Sequence, residues 1–297
     1  MTLRPWLRLC RIPNVFTAFA NVLAGVLLAR GGGFEVRDLS LLGASGALYT
    51  AGMVLNDFFD RRVDAIERPD RPIPAGDIRA ARAGMLGLLL LISGLLCAAL
   101  HGPRPLVIAL LLALSILAYD GGLKATVVGP LAMGVCRFFN VLLGLVATGL
   151  PNVWLWSAPL AMGLFTVAIT VLSRDEVAGG GIARTRAVVV ALIALVVAIG
   201  SCLVIFATRL SPWGVLLTLA LAAPFYVLLL VRGARVFAPL WRNASAPTIG
   251  RAIGGGILMM PALDATFVAA AGLPLGGVIV LALSVPAFIL RRWYYLT

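Results

Sequence analysis

The chain alternates apolar runs of about 20 residues with short stretches that hold nearly all of its charge. A helix of that length crosses a hydrocarbon core of roughly 30 Å. The pattern predicts ten spans, at about 13–30, 40–56, 83–101, 105–119, 127–149, 153–172, 187–207, 212–231, 249–271 and 274–291. The ninth contains Gly254, Gly255, Gly256, Pro261 and Asp264, so it is expected as either a span or a broken, re-entrant helix. The fold class predicted is all-α, a polytopic transmembrane bundle of nine or ten spans. Residues 1–297 are expected to form one integral membrane domain.

Composition agrees with this pattern. The chain is 61% hydrophobic and 12% charged, against about 25% charged residues in a soluble domain. A soluble fold could not bury that much apolar surface. The 32 glycines and 17 prolines are compatible with membrane helices, which tolerate both.

The net charge of +12 suggests a nucleic-acid partner, but its distribution argues for no nucleic acid and for a lipid bilayer. The basic residues sit at span ends. With the N-terminus placed in the cytoplasm, nineteen basic residues fall on the cytoplasmic side and four (Arg30, Arg37, Arg104 and Arg209) on the other. That asymmetry predicts a multi-pass protein of the cell membrane, expected to be bacterial, with its charged loops in the cytoplasm. It also favours an even number of spans. Residues 1–11 are basic and no small-residue cleavage site follows the first span, so no removable signal peptide is expected. Cys10, Cys97, Cys136 and Cys202 form no C-x-x-C pair and are read as small buried hydrophobes. His101, the single histidine, cannot build a haem or zinc site alone.

The chemistry concentrates after the second span. Six of the twelve acids lie between positions 57 and 77. The core reads Asn56-Asp57-Phe58-Phe59-Asp60-Arg61-Arg62-Val63-Asp64. At about 100° per residue, Asp57, Asp60 and Asp64 fall within about 60° of one another on a helix. Three carboxylates on one face repel unless a cation lies among them, and hard oxygen ligands suit Mg²⁺, which bridges to substrate phosphates. A solvated loop of alternating charge is the competing reading. It fits less well, because Asn56 and Asp57 continue an apolar helix directly. The following Arg68-Pro69-Asp70-Arg71-Pro72-Ile73-Pro74 is stiffened by its prolines. It would present Arg71 either as a phosphate fork or simply as part of a structural turn.

These residues carry a resemblance. N-D-x-x-D-x-x-x-D followed by R-P, over residues 56–72, resembles the first signature of the UbiA-type prenyltransferase superfamily. The resemblance implies nine helices around a central cavity, so a tenth span would be a departure. It implies transfer of an isoprenoid group from a prenyl diphosphate donor to an acceptor, here unidentified, with Mg²⁺ as cofactor. Asp57, Asp60 and Asp64 would ligate the metal, and Asn56 and Arg71 would bind substrate. Tyr119 and Lys124 resemble the family's tyrosine and lysine after the fourth helix, where the lysine holds diphosphate. Arg137 and Asn140 stand inside the fifth span. A guanidinium in lipid is costly, so Arg137 should face the interior and meet diphosphate or an acid such as Asp175. Asp60, Lys124 and Arg137 are the expected catalytic residues.

The second aspartate motif is abbreviated. The family shows two aspartates about four residues apart after the sixth helix. Here Ser173-Arg174-Asp175-Glu176 is followed by Val177, Ala178 and three glycines. Asp175 and Glu176 are carried over as metal ligands, with the helix expected to end there. The form L-S-R-D-E-V-x-G-G is similar to the EboC-like branch. Asp264 would either approach the acceptor or pair with a buried arginine. A membrane terpene cyclase or another diphosphate-dependent transferase would keep the same aspartates. A lipid or small-molecule transporter would instead use the intramembrane Arg137 and Asp264.

Overall fold

The computed structural model describes the backbone of residues 3–178, 182–207 and 212–290, and the side chains of 3–174, 186–202 and 213–290. Among them every regular element is helical. A short helix α1 (Leu3–Leu9) leads into α2 (Ile12–Ala29), α3 (Leu39–Glu67), α4 (Ala80–His101), α5 (Pro103–Asp120) and α6 (Gly129–Leu145). The second half comprises α7 (Ser157–Ala178), α8 (Ile182–Ala207), α9 (Pro212–Arg242), α10 (Ala246–Ile257), α11 (Met260–Ala270), α12 (Pro274–Ala282) and α13 (Ser284–Leu290).

Seven helical segments among the described residues are long and apolar enough to cross a membrane. Three shorter apolar stretches, Gly129–Leu145, Arg186–Cys202 and Pro274–Leu290, occupy the places of the other expected spans. Two sequence boundaries move. α3 runs on to Glu67, so the aspartates stand on the same helix as the apolar run before them. α9 runs on to Arg242 through Pro224 and Pro239. The expected break in residues 249–271 is present: α10 ends at Ile257 and α11 restarts with Pro261 in its first turn, where a missing N–H costs nothing.

α2 and α11 form the centre, and every residue of α11 is buried. α4 and α9 turn leucines outward, including Leu88, Leu89, Leu96 and Leu216, as lipid-facing helices do. α2 and α6 cross with their backbones in contact: a Cβ at Gly144 would lie 2.1 Å from the Val22 carbonyl oxygen, and one at Gly25 2.5 Å from that of Val141. Small residues are what permit such an approach in a bilayer. On the face opposite the aspartates, Arg30 donates to Asp38 (Nη2 to Oδ1, 3.0 Å) and pairs with Glu35, joining the end of α2 to the start of α3. His101 is buried there, with its ring nitrogens 3.3 and 3.2 Å from the Arg37 and Ala147 carbonyls. All four cysteines are free thiols. Burial pushes the Cys10 thiol up, consistent with a packing role. Cys97 and Cys136 are half-buried, while Cys202 is exposed rather than buried as expected.

Candidate active site

The last turns of α3 carry the acidic face. Asp57 and Asp64 are 4% and 3% exposed, so both carboxylates are drawn into the protein, while Asp60 stays more open. Three cations from three different segments meet them. The proline-stiffened turn after α3 returns Arg71, whose Nη1 lies 3.1 Å from Asp57 Oδ1 and 2.7 Å from Asp64 Oδ2. Arg11 Nη2 reaches Asp57 Oδ1 at 3.1 Å from the start of α2. Lys124 Nζ lies 2.7 Å from Asp60 Oδ1 and donates to Asn56 Oδ1 at 3.1 Å. The Lys124 turn is fixed in place by Arg174 of α7, whose Nη2 donates to the Lys124 and Thr126 carbonyls at 2.7 and 2.5 Å.

Arg11 has φ 45° and ψ 49°, a left-handed conformation and the one non-glycine residue with positive φ among those described. That backbone costs about 1–2 kcal/mol in an L-residue. It directs the chain into α2 and leaves the guanidinium on Asp57.

Behind the acidic face, a cavity of about 160 Å³ runs into the bundle. Asn56, Arg11, Tyr119 and Asp120 line its mouth side, and Tyr49, Arg137 and Asn140 its inner side, with methionine and aliphatic side chains between. Tyr49 precedes Asn56 by seven residues on α3, about 10 Å along the helix axis, so the cavity reaches well below the aspartates. Asp120 is 4% exposed, and its Oδ2 has no hydrogen-bond partner among the described residues.

The inner wall is a closed polar cluster. Arg137 donates to Asn21 Oδ1 at 3.0 Å and Thr17 Oγ1 at 3.1 Å, and its guanidinium lies 4.8 Å from the Tyr49 ring centroid. Asn21 passes the charge on by donating to Asp264 Oδ2 at 2.6 Å. Asn140 donates to the Ala18 carbonyl at 3.1 Å and accepts from Ser45 Oγ at 2.8 Å. Asp264 was expected either to approach the acceptor or to pair with a buried arginine; its carboxylate instead accepts from Asn21, which separates it from Arg137. Among the described residues, Asn21 and Thr17 are the hydrogen-bond partners of Arg137, while the side chain of Asp175, the acid expected there, lies outside them.

The structure therefore brings together Asn56, Asp57, Asp60, Asp64, Arg71 and Lys124, and sets Tyr119, Arg137 and Asn140 on the adjoining cavity. The backbone of α7 continues through Asp175 and Glu176, but their side chains, and all of residues 179–181, lie outside the described residues. Sequence reasoning missed three site residues. In the sequence Arg11 reads only as a loop charge, although Ile12-Pro13 behind it marks a helix start. Asp120 directly follows Tyr119. Asn21 looks like an ordinary polar residue in an apolar span until Asp264 is seen opposite.

The profile of the UbiA prenyltransferase family matches residues 18–249. The chain belongs to that family. Its relatives include the digeranylgeranylglyceryl phosphate synthases of Saccharolobus solfataricus, 34% identical over 42% of this chain and 45% of that protein, and of Ignicoccus hospitalis, 32% identical over 57% and 54%. The chain thus matches about half the length of these curated relatives. Among solved structures, a digeranylgeranylglyceryl phosphate synthase superposes with a TM-score of 0.66 at 22% identity, covering 91% of this chain and 98% of that one. The UbiA homologue of Archaeoglobus fulgidus bound to GPP and Mg²⁺ also gives 0.66, at 13% identity, covering 94% and 99%. At those identities the likeness concerns the fold. Family membership and the apolar helices together make this an integral membrane protein of the UbiA family.

Proposed function

We infer that this UbiA-family enzyme takes a prenyl diphosphate at the α3 aspartate face and transfers the prenyl group to an acceptor inside the adjoining cavity, with Mg²⁺ as cofactor. The observation that carries this reading is the set of three cations drawn onto Asp57, Asp60 and Asp64 at the cavity mouth. No three acids converge at ligating distance among the described residues. The donor set fits Mg²⁺ in kind: three hard carboxylates at i, i+3 and i+7, which would exchange their ion pairs with Arg11, Arg71 and Lys124 for the metal. Asp57, Asp60 and Asp64, with Asp175 and Glu176 from α7, would hold it. Bound there, Mg²⁺ neutralises charge that develops on the departing diphosphate.

The chain's own residues supply the rest. Arg71 and Arg11 present guanidinium groups that match phosphate oxygens, and Lys124 adds a point charge beside Asn56. These groups stabilise the leaving diphosphate as the bond to the allylic carbon breaks. Tyr49, Tyr119 and the apolar cavity wall exclude water from the allylic cation and stabilise it through their ring faces.

The relatives' name denotes a glyceryl phosphate carrying two geranylgeranyl groups. On that ground, the acceptor class proposed here is a hydroxyl-bearing lipid. The nineteen-to-four charge bias supports a cytoplasmic aspartate face. A transporter reading gains little, because the intramembrane Arg137 and Asp264 are bonded within the cluster at Asn21.

The test is purified protein in detergent with Mg²⁺ and labelled prenyl diphosphates of several lengths. Wild type should bind donor and release diphosphate with a suitable acceptor, and Asp60→Ala should lose both. Equal donor binding by the two proteins, with no diphosphate released by either, overturns the enzyme reading.

A further inference from the structure

Away from the aspartate cavity, α8 and α9 leave a second cleft. Its apolar half, about 380 Å³, lies between Val189 and Val196 of α8 and Leu229, Leu230 and Trp241 of α9, with Met259 behind. Its polar half, about 460 Å³, opens among Arg235, Arg242, Asn243 and Thr248. Ala234 and Ala238 line both, so the two halves adjoin across these two residues of α9. Ala234, Ala238 and Arg242 follow at intervals of four along one row of α9. The two small side chains leave the seam open, and the arginine stands at its polar end.

Charge and depth say what fits. Arg235 and Arg242 are exposed, and neither has an acidic partner among the described residues. Trp241 lines the apolar half, half-exposed, with the Arg186 guanidinium 5.1 Å from its ring centroid. A tryptophan with arginines around it is the pattern of the membrane–water boundary. A soluble anion would leave the apolar half uncovered, and a neutral lipid would leave the arginines unmatched. We propose that this cleft binds an anionic phospholipid of the surrounding leaflet, with its phosphate at Arg235 and Arg242 and an acyl chain along α8 and α9. Two cations facing an anionic headgroup favour it by roughly thirtyfold over a zwitterionic one, taking about a factor of five for each.

The test is native mass spectrometry of the full chain in detergent supplied with equal amounts of dioleoyl-phosphatidylglycerol and dioleoyl-phosphatidylcholine. Wild type should retain phosphatidylglycerol with roughly that thirtyfold preference. R235Q/R242Q should lose the preference, and A234F/A238F, which fills the seam while keeping both arginines, should lose bound lipid of either kind. R79Q/R82Q removes two other exposed arginines and should retain the preference. Each variant is melted in phosphatidylcholine micelles to show that it is folded. Equal retention of the two lipids by wild type, preference surviving in R235Q/R242Q, or equal loss in R79Q/R82Q would overturn the proposal, the last by showing diffuse charge attraction.

Discussion

Arg71 spans two buried carboxylates, Asp57 and Asp64, while Arg11 shares the first of them. Removing a cation there exposes uncompensated buried charge, so Arg71 has a structural role beyond meeting substrate. Arg71→Met is expected to lower thermal stability in detergent by about 3 kcal/mol and to abolish donor binding; Arg71→Lys should restore only part of each. Asp120 behaves oppositely. Its unpartnered buried oxygen costs stability, and such groups persist where function requires them. Asp120→Asn is therefore expected to leave the melting temperature unchanged or raised while turnover falls, measured by diphosphate release. In the inner cluster, Asn21 holds Arg137, Asn140 and Asp264 together. Asn21→Leu should cost about 3–5 kcal/mol in detergent melting, because it strands a buried guanidinium and a buried carboxylate at once.

At the scale of elements, α3 turns a lipid-spanning helix into a ligand-bearing one without interruption. Helical spacing of aspartates at i, i+3 and i+7 is a local property, so it was legible in the sequence. The same holds for the proline turn carrying Arg71 and for the break between α10 and α11, signalled by three glycines and Pro261. Partners across helices were not legible. The contact of Arg11 with Asp57 depends on how α2 enters the bundle, and that of Asn21 with Asp264 on the burial of α11 beside α2. The crossing of α2 on α6 sets the inner cluster, since Thr17, Asn21, Arg137 and Asn140 all lie on that pair of helices. Gly144→Leu would drive a side chain into the Val22 backbone, and is expected to cost about 3 kcal/mol or more in melting and to lower donor affinity as well. A Gly144→Leu protein with wild-type stability would show that the crossing is not close-packed.

For the whole molecule, the acidic and basic residues divide by depth. The ion-paired face lies at the ends of the helices, the polar cavity below it, and a closed cluster at the bottom whose members satisfy one another. That gradient suits a reaction that begins with a charged headgroup at the surface and proceeds with an apolar chain inside. The apolar runs made the bundle legible, but not the number of full crossings, because α6 is short and α12 and α13 divide one run. The central claim is that Asp57, Asp60 and Asp64, with their three cations, form a metal-dependent diphosphate site. The direct measurement is calorimetric titration of geranylgeranyl thiodiphosphate, a slow-reacting donor analogue, into purified protein with and without Mg²⁺. Tight binding only with Mg²⁺, lost in Asp60→Ala and Lys124→Met, is the expected result. Equal binding without Mg²⁺, or unchanged binding in Asp60→Ala, would contradict the claim.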